Sequence, residues 1–298
     1  MLRHLDLFSG IGGFSFGLEN TDFFKTVAFC ETDTFCKKVL KKHWQYVPIY
    51  NDVKELSYDR LRSDGLVSER NPIHILTGGY PCQPMSTAGK RKGKEDERYL
   101  FPEYLRLIKE LSPIYAIGEN VGGHIGLGLN EVFEDLEHCN YIIRCFSVEA
   151  SSLGAWHSRQ RVWWIAQRYD TYSNSKRFKE QWINKPITEN RDVSHCFYQA
   201  ISDSNRQRGR LWNSKWENAE NVGKSSRSKK SGRGNFKSRL GRMAYGIPYW
   251  MDEPGGIKRT TTIKKDRVAR LKALGNAIVP QMAHIIGLAI KETHNGKD

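Results

Sequence analysis

The chain is 298 residues long, 39% apolar and 11% aromatic, enough to bury a globular core and too apolar for a disordered polymer. Forty-seven basic against thirty-three acidic residues leave a net charge of +14, for which nucleic acid is the default partner and plain solubility the competing reading. No run approaches the ~18–20 apolar residues of a membrane helix, and the start, MLRHLDLFSG, lacks a signal-peptide pattern, so membrane and secreted classes are not expected.

In chain order, the first half reads as strands alternating with helices. HLDLF (4–8) is an apolar run feeding a glycine-rich turn, and TVAFC (26–30) is a second run. Residues 33–44 place Phe35, Val39 and Leu40 at helical spacing, with Asp33 or Thr34 as N-cap. IHIL (73–76) predicts a third strand. Residues 100–111 put Leu100, Tyr104, Leu105, Ile108 and Leu111 on one helical face, and Pro113 ends that helix. YAIG (115–118) predicts a buried strand, 131–139 a short helix, and YIIRCFSV (141–148) and RVWWIA (161–166) two late strands. QMAHIIGLAI (281–290) predicts a buried helix opened by Pro280. The alternation implies an α/β fold with a doubly wound, mostly parallel sheet covered on both faces. Ligands of such sheets bind at the carboxyl ends of strands, so the turns after Phe8, Cys30, Leu76 and Gly118 are where chemistry is sought.

The composition changes after residue 167. Residues 206–242 hold twelve Lys or Arg against Glu217 and Glu220, a local charge of about +10, in a background rich in Ser, Gly and Asn. The expected division is therefore a catalytic domain built from 1–167 and 268–298, and a smaller, irregular domain at 168–267. SNSKRFKEQ (173–181) and SDSNRQRGR (202–210) share a Ser-x-Ser-x-Arg core, either a duplication or chance. The six cysteines include no CxxC pair, which argues against a zinc ribbon and a disulfide scaffold. Cys30, Cys36, Cys139 and Cys145 fall on apolar faces and read as core thiols; Cys196 carries no role.

The turn Phe8-Ser9-Gly10-Ile11-Gly12-Gly13 lets the backbone bend sharply and a ligand approach closely. Glu31 lies nineteen residues after Gly12, at the end of the second strand, where a carboxylate can accept both ribose hydroxyls. The pattern is neither the full dinucleotide motif nor a P-loop, which favours a phosphate-free nucleoside such as S-adenosyl-L-methionine over a nucleotide. Asp52 can accept from an adenine amino group or serve as an ordinary turn aspartate. Gly78-Gly79-Tyr80-Pro81-Cys82-Gln83-Pro84 is a rigid, exposed turn with a cysteine at its centre. Such a cysteine is a nucleophile candidate, although a lone cysteine also serves as a small core residue. Glu119, after the next strand, brings a carboxyl group to the same edge, or caps a helix. A thiolate beside a carboxylic acid suits addition to an electron-poor ring whose nitrogen is then protonated.

These motifs, with His157-Ser158-Arg159-Gln160-Arg161 and Gly275-Asn276-Ala277-Ile278-Val279-Pro280-Gln281 in the same order, resemble the DNA cytosine-5 methyltransferases. The resemblance covers 1–167 and about 239–290, with the basic insert at 168–238 unmatched in detail. It implies a Rossmann-like catalytic domain of the S-adenosyl-L-methionine-dependent kind and a target-recognition domain that binds double-stranded DNA. Phe8 would stack on adenine, Ser9, Gly10, Ile11 and Gly13 would hold the amino-acid moiety, and Glu31 the ribose. Asp52 and Val53 would meet the adenine edge, with Pro81 and Asn276 beside the cofactor. Cys82 would add to C6 of a flipped cytosine and Glu119 would hold N3. Arg159 and Arg161 would support the flipped nucleotide and the two catalytic loops. DNA methylation of the restriction–modification kind, by a monomer in the cytoplasm of a bacterial or phage-infected cell, is the expected setting.

Some positions depart from the family pattern. His157 stands where Gln is common, and Tyr80 and Met85 replace the commoner Pro and Phe around Cys82. Residues 238–248 look like a short, altered ninth motif, with Arg242 favoured over Arg239 as its structural arginine. Two other readings fit the same residues: an RNA methyltransferase of the same fold, and a non-enzymatic DNA-binding relative. The intact Cys82, Glu119 and Arg161 argue against the latter.

Overall fold

In the computed structural model, which describes residues 1–81, 99–122, 128–149, 160–169 and 264–295, the apolar runs form seven strands of one sheet. They are β1 (Leu2–Leu7), β2 (Phe24–Cys30), β3 (Ile49–Tyr50), β4 (Ile75–Gly78), β5 (Tyr115–Val121), β6 (Tyr141–Glu149) and β7 (Gln160–Arg168). Their spatial order is β3-β2-β1-β4-β5-β7-β6. The first five run parallel, and β7 runs antiparallel to both β5 and β6. Chain order reverses between β1 and β4, the kind of switch point where a crevice opens above the strand ends.

Register fixes where that crevice begins. Leu7 pairs with Cys30 on one side and Gly78 on the other, and Gly78 pairs with Gly118. β1, β2 and β4 therefore end on one row, while β5, expected to stop at Gly118, crosses that row and runs on to Val121 because β7 pairs with it. Phe8, Glu31, Gly79 and Glu119 each follow that row by one residue.

The helices are α1 (Gly13–Glu19), α2 (Thr34–His43), α3 (Tyr58–Ser63), α4 (Phe101–Leu111), α5 (Leu129–His138), α6 (Lys264–Asn276) and α7 (Pro280–Asn295). On one sheet face Phe14 and Leu18 of α1 and Ile286 and Ile290 of α7 pack with Ile75, Tyr115, Ile117 and Trp163. On the other face α3, α4 and α5 bring Leu61, Tyr104, Ile108, Val132 and Leu136 against Leu5, Leu76 and Trp164. Trp163 and Trp164 thus serve opposite faces, as the twofold period of a strand requires. A third cluster joins Ile11, Phe35 and Val39 to Ala273 and Leu274 of α6.

Most elements stand where the sequence puts them, with informative differences. Asp33 is the α2 cap, its carboxylate accepting the amides of Phe35 (2.8 Å) and Cys36 (3.1 Å). β4 runs two residues later than expected because its pairing with β1 starts at Ile75. In α4 Leu107 is buried along with Tyr104, Ile108 and Leu111, while Leu105, expected on that face, is half-buried. Cys30 and Cys36 are buried, but Cys145, expected in the core, is exposed on the edge strand β6. Helices α1, α3 and α6 were not foreseen; α1 is too short and glycine-rich to show a pattern. The stretch Val268–His294 has the length and apolarity of a membrane span, yet 72% of its apolar window is buried within the protein. It is also interrupted between α6 and α7. Nearly all of the expected recognition domain, 170–263, lies outside the described residues, as do Cys82, Arg159 and Cys196.

Candidate active site

The glycine turn begins on strained backbone. Phe8 has φ +51°, a left-handed conformation that bulky residues rarely adopt and that folded proteins retain mainly at working sites. Ser9 closes the turn from below: its hydroxyl donates to the Asp6 carbonyl (2.6 Å) and its amide donates to the Cys30 carbonyl (3.2 Å). Gly10 has φ +54°, and a Cβ there would meet nothing within 4 Å, so the turn faces open space. The Gly10 amide donates to Glu31 Oε2 (2.7 Å) and the Asp33 amide to Glu31 Oε1 (2.7 Å). Burial pushes the Glu31 carboxyl up, and those two amides counter it. Each carboxylate oxygen still has a lone pair for a further donor. On the inner side, a Cβ at Gly12 would collide with the Trp44 ring at 2.6 Å, and one at Gly13 with the Ile278 carbonyl at 2.7 Å. The chain therefore needs glycine there to let α2 and the 277–279 link close beneath the turn.

Beneath this turn runs a buried polar chain. Ser15 donates to Asp6 Oδ2 (2.7 Å) and Thr77 donates to Asp6 Oδ1 (3.0 Å). His4 Nε2 lies 2.8 Å from Thr77 Oγ1 and His4 Nδ1 lies 3.1 Å from Thr26 Oγ1. Thr77 spends its proton on Asp6, so the imidazole donates from Nε2 and accepts Thr26 at Nδ1. Burial lowers the His4 imidazole to about 3, keeping it neutral. Burial likewise raises the Asp6 carboxyl to about 7, against the donors Ser15 and Thr77. The chain ties β2, β1 and β4 to the first turn of α1.

The end of the edge at β5 and β7 is built from longer side chains. Glu119 on β5 and Arg161 on β7 form an ion pair, Nε to Oε1 2.9 Å, with side chains 12% and 19% exposed. The pairing follows from register: Glu119 opposes Trp163 and Arg161 opposes Val121, which makes Glu119 and Arg161 diagonal neighbours on one face. Glu119 Oε2 lies 3.5 Å from the position of a Cβ at Gly79, and Ile278 lies 3.3 Å from that same position. Glu119 thus stands directly over the turn leading to Cys82. Asn120, 4% exposed, turns the other way and its Nδ2 donates to the Tyr80 carbonyl at 3.4 Å.

The structure brings Phe8, Ser9, Gly10, Gly13, Glu31, Glu119 and Arg161 to one sheet edge. Ile11 and Val53 are buried, so either would meet a ligand only through its backbone. Asp52 is half-buried and accepts the Lys54 amide at 2.9 Å, the local turn bond that its alternative reading required. It also borders a cavity of about 390 Å³ lined by Pro48, Tyr50 and Glu55. Pro81 is half-buried, and Asn276 is exposed at the end of α6, two residues before Ile278. Sequence reasoning missed the Asp6 chain, and it noted Tyr80 without its ties to Asn120 and Trp164. The signal for Asp6 was present as His4 and Asp6, two polar residues at strand spacing inside an apolar run.

Comparisons with known proteins identify the family and the fold. The family described as C-5 cytosine-specific DNA methylase matches residues 2–252. The chain is similar to the type II methyltransferase M1.ScrFI of Lactococcus lactis subsp. cremoris, 29% identical over 229 residues, or 74% of this chain and 55% of that protein. It is also similar to the type II methyltransferase M.NgoMIV of Neisseria gonorrhoeae, 31% identical over 213 residues, or 70% of this chain and 64% of that protein. The matched region thus spans between half and two thirds of those relatives. The crystal structure of a Spodoptera frugiperda DNMT2 mutant shares the fold, with a TM-score of 0.60, 17% identity, and coverage of 97% of this chain and 100% of the other.

Proposed function

Because the chain belongs to the C-5 cytosine-specific DNA methylase family, we propose that it transfers a methyl group from S-adenosyl-L-methionine to C5 of cytosine in a specific sequence of double-stranded DNA. The observation that carries this reading is the Glu119–Arg161 pair, 2.9 Å long and set against Gly79, three residues before Cys82.

The residues at the cofactor end suit that molecule. Phe8 offers a ring at the edge, Gly10 leaves open space, and Glu31 keeps lone pairs for a ribose diol. Asp52 and the Val53 backbone would meet adenine, and Asn276 would close over the amino-acid end together with Ser9, Ile11, Gly13 and Pro81. When bound, S-adenosyl-L-methionine supplies the methyl group that C5 takes once the ring has been activated.

Activation is the work of the chain. A cytosine inside a duplex is out of reach, so it must leave the stack at a cost of a few kcal/mol. The Cys82 thiolate then forms a bond to C6. Glu119, oriented by Arg161, holds N3 and the exocyclic amine while electron density moves through the ring toward C5. After methylation a base removes the C5 proton, the C6–sulfur bond breaks, and the thiolate is restored. Arg159 joins Arg161 in supporting the flipped nucleotide. The basic segment within 168–267 would follow the phosphates and read bases.

A duplex carrying 5-fluorocytosine tests this directly. With cofactor present it should form a stable covalent adduct that peptide mapping places on Cys82, because fluorine cannot leave C5 as a proton does. An adduct on another cysteine, or none, overturns the reading. Deletion of 213–237 should abolish site-specific methylation and leave cofactor binding intact. Continued methylation of the same site by the deletion variant would place recognition elsewhere.

A further inference from the structure

Tyr80 is 2% exposed and ties the end of β4 to a strand that is not its neighbour. Its hydroxyl accepts the indole Nε1–H of Trp164 on β7 at 3.3 Å. Its ring lies 5.3 Å from that of Phe101, 6.1 Å from Tyr104 and 6.4 Å from Trp164, centroid to centroid. Its carbonyl accepts Asn120 Nδ2 at 3.4 Å. Trp164 reaches it by crossing β5 at Gly118, its directly paired residue, where any Cβ would fall inside the indole. The sequence of this segment carries the same point: Gly118, Glu119 and Asn120 in turn admit Trp164, face Arg161, and hold Tyr80.

Cys82 lies two positions beyond Tyr80, with Pro81 between them. Backbone geometry keeps their Cα atoms within about 7.6 Å of each other. Pro81 between them fixes φ near −65° and removes much of the remaining slack. Few free backbone torsions therefore lie between the anchored Tyr80 ring and Cys82. Phenylalanine would fill the aromatic site as well. The hydroxyl is what the geometry singles out, as acceptor for an indole N–H that has been taken out of water.

We propose that Tyr80 is a positioning residue: locked by Trp164 across Gly118, it sets the direction in which the backbone leaves the sheet toward Cys82. The proposal rests on the reading of Cys82 as the nucleophile.

Alkylation of each cysteine by iodoacetamide, mapped by mass spectrometry on the full chain without DNA or cofactor, tests it. Tyr80→Phe should change the rate at Cys82 by at least about threefold, since thiol reactivity follows its microenvironment. Buried Cys30 and Cys36 should stay protected. Trp164→Phe should give the same change, and the double substitution no more than either single one, because both remove one bond. In single-turnover methylation, Tyr80→Phe should lower the rate about tenfold, as a small misplacement of a reacting group does, with cofactor affinity unchanged. An unchanged rate at Cys82, or a change matched at Cys30 and Cys36, overturns the proposal. The alkylation arm needs no methyl transfer. Failure to trap 5-fluorocytosine would thus defeat the methyltransferase reading, while the alkylation rates still decide the placement of Cys82 by Tyr80.

Discussion

The two ends of one sheet edge are held by different means. At the ends of β1 and β2 the ties are backbone amides and short side chains: Gly10 and Asp33 to Glu31, Ser9 to Cys30. At the ends of β4, β5 and β7 the ties are long side chains crossing strands: Arg161 to Glu119, and Trp164 over Gly118 to Tyr80, 84 residues apart in the chain. The β1–β2 end, the proposed cofactor end, is therefore a backbone turn gathered on one side chain, Glu31, and an added Cβ in the turn would spoil it. The β4–β5–β7 end, the proposed catalytic end, is an assembly of side chains, each placed by the others.

Removing the central charge of the catalytic end should have the largest effect. Glu119→Gln keeps the size of the side chain and loses the ion pair and the acid. Its contribution belongs mainly to the transition state, so kcat should fall at least ~10²-fold while DNA binding changes little. Single-turnover methylation beside a binding titration checks this. Near-normal turnover would make Glu119 a structural partner of Arg161 only.

Next in size is Gly118→Ala. The new methyl has no room beside the Trp164 indole, and overpacking of this kind costs about 3 kcal/mol at the upper end of its usual range. Thermal unfolding should show the loss, and cofactor affinity at the far end should survive in the folded fraction. Equal loss at both ends would erase the distinction between them.

The buried chain beneath the cofactor end predicts a pH effect of somewhat smaller size. Asp6 sits at about 7, above the ordinary carboxylate value of 3.8, so the folded state keeps a proton that the unfolded chain releases. Its contribution to stability is complete below about pH 4 and is lost as pH rises toward 7. His4 sits at about 3, below its ordinary 6.5, so its contribution is complete above pH 6.5 and is lost as pH falls toward 3. The two slopes oppose each other between pH 4 and 6.5. Asp6→Asn removes only the first. Relative to wild type the variant should gain about 2 kcal/mol between pH 5 and pH 6.5. Denaturant unfolding at both pH values measures the difference, and parallel behaviour would show that Asp6 is ionised throughout.

The smallest change in stability is expected at Gly10. Gly10→Ala meets no atom within 4 Å, so only the φ of +54° opposes it, a penalty of about 1 kcal/mol. Its methyl would nevertheless stand in the space offered to the cofactor, so affinity for S-adenosyl-L-methionine should fall while stability barely moves. Isothermal titration separates the two. Unchanged affinity would remove this turn from the cofactor site.

The comparison also explains what could be read in advance. Strand β2, the Asp33 cap and the glycine turn are local patterns, visible because a strand repeats every two residues and a cap lies beside its helix. Residues of the catalytic end were legible one at a time. Glu119 and Arg161 stood out by type, but their pairing depends on β7 lying antiparallel to β5 in one register. The burial of Leu107 in place of Leu105 is the same lesson on a helix: the apolar pattern marks a face, and packing on the sheet decides its centre.

The sequence by itself determined the alternation of strands and helices, the turns after the first two strands, and the residue types able to bind a nucleoside and attack a ring, whereas β4 and β5 run past the expected turns after Leu76 and Gly118 to Gly78 and Val121. Only the tertiary structure decided that Leu7, Cys30, Gly78 and Gly118 share one row, that Asp6 gathers Ser15 and Thr77 beneath the turn, and that Trp164 passes over Gly118 to Tyr80. Propensity and spacing act over a few residues, whereas register and burial are set by the packing of segments far apart in the chain, and the partners of a polar side chain exist only once that packing has excluded water.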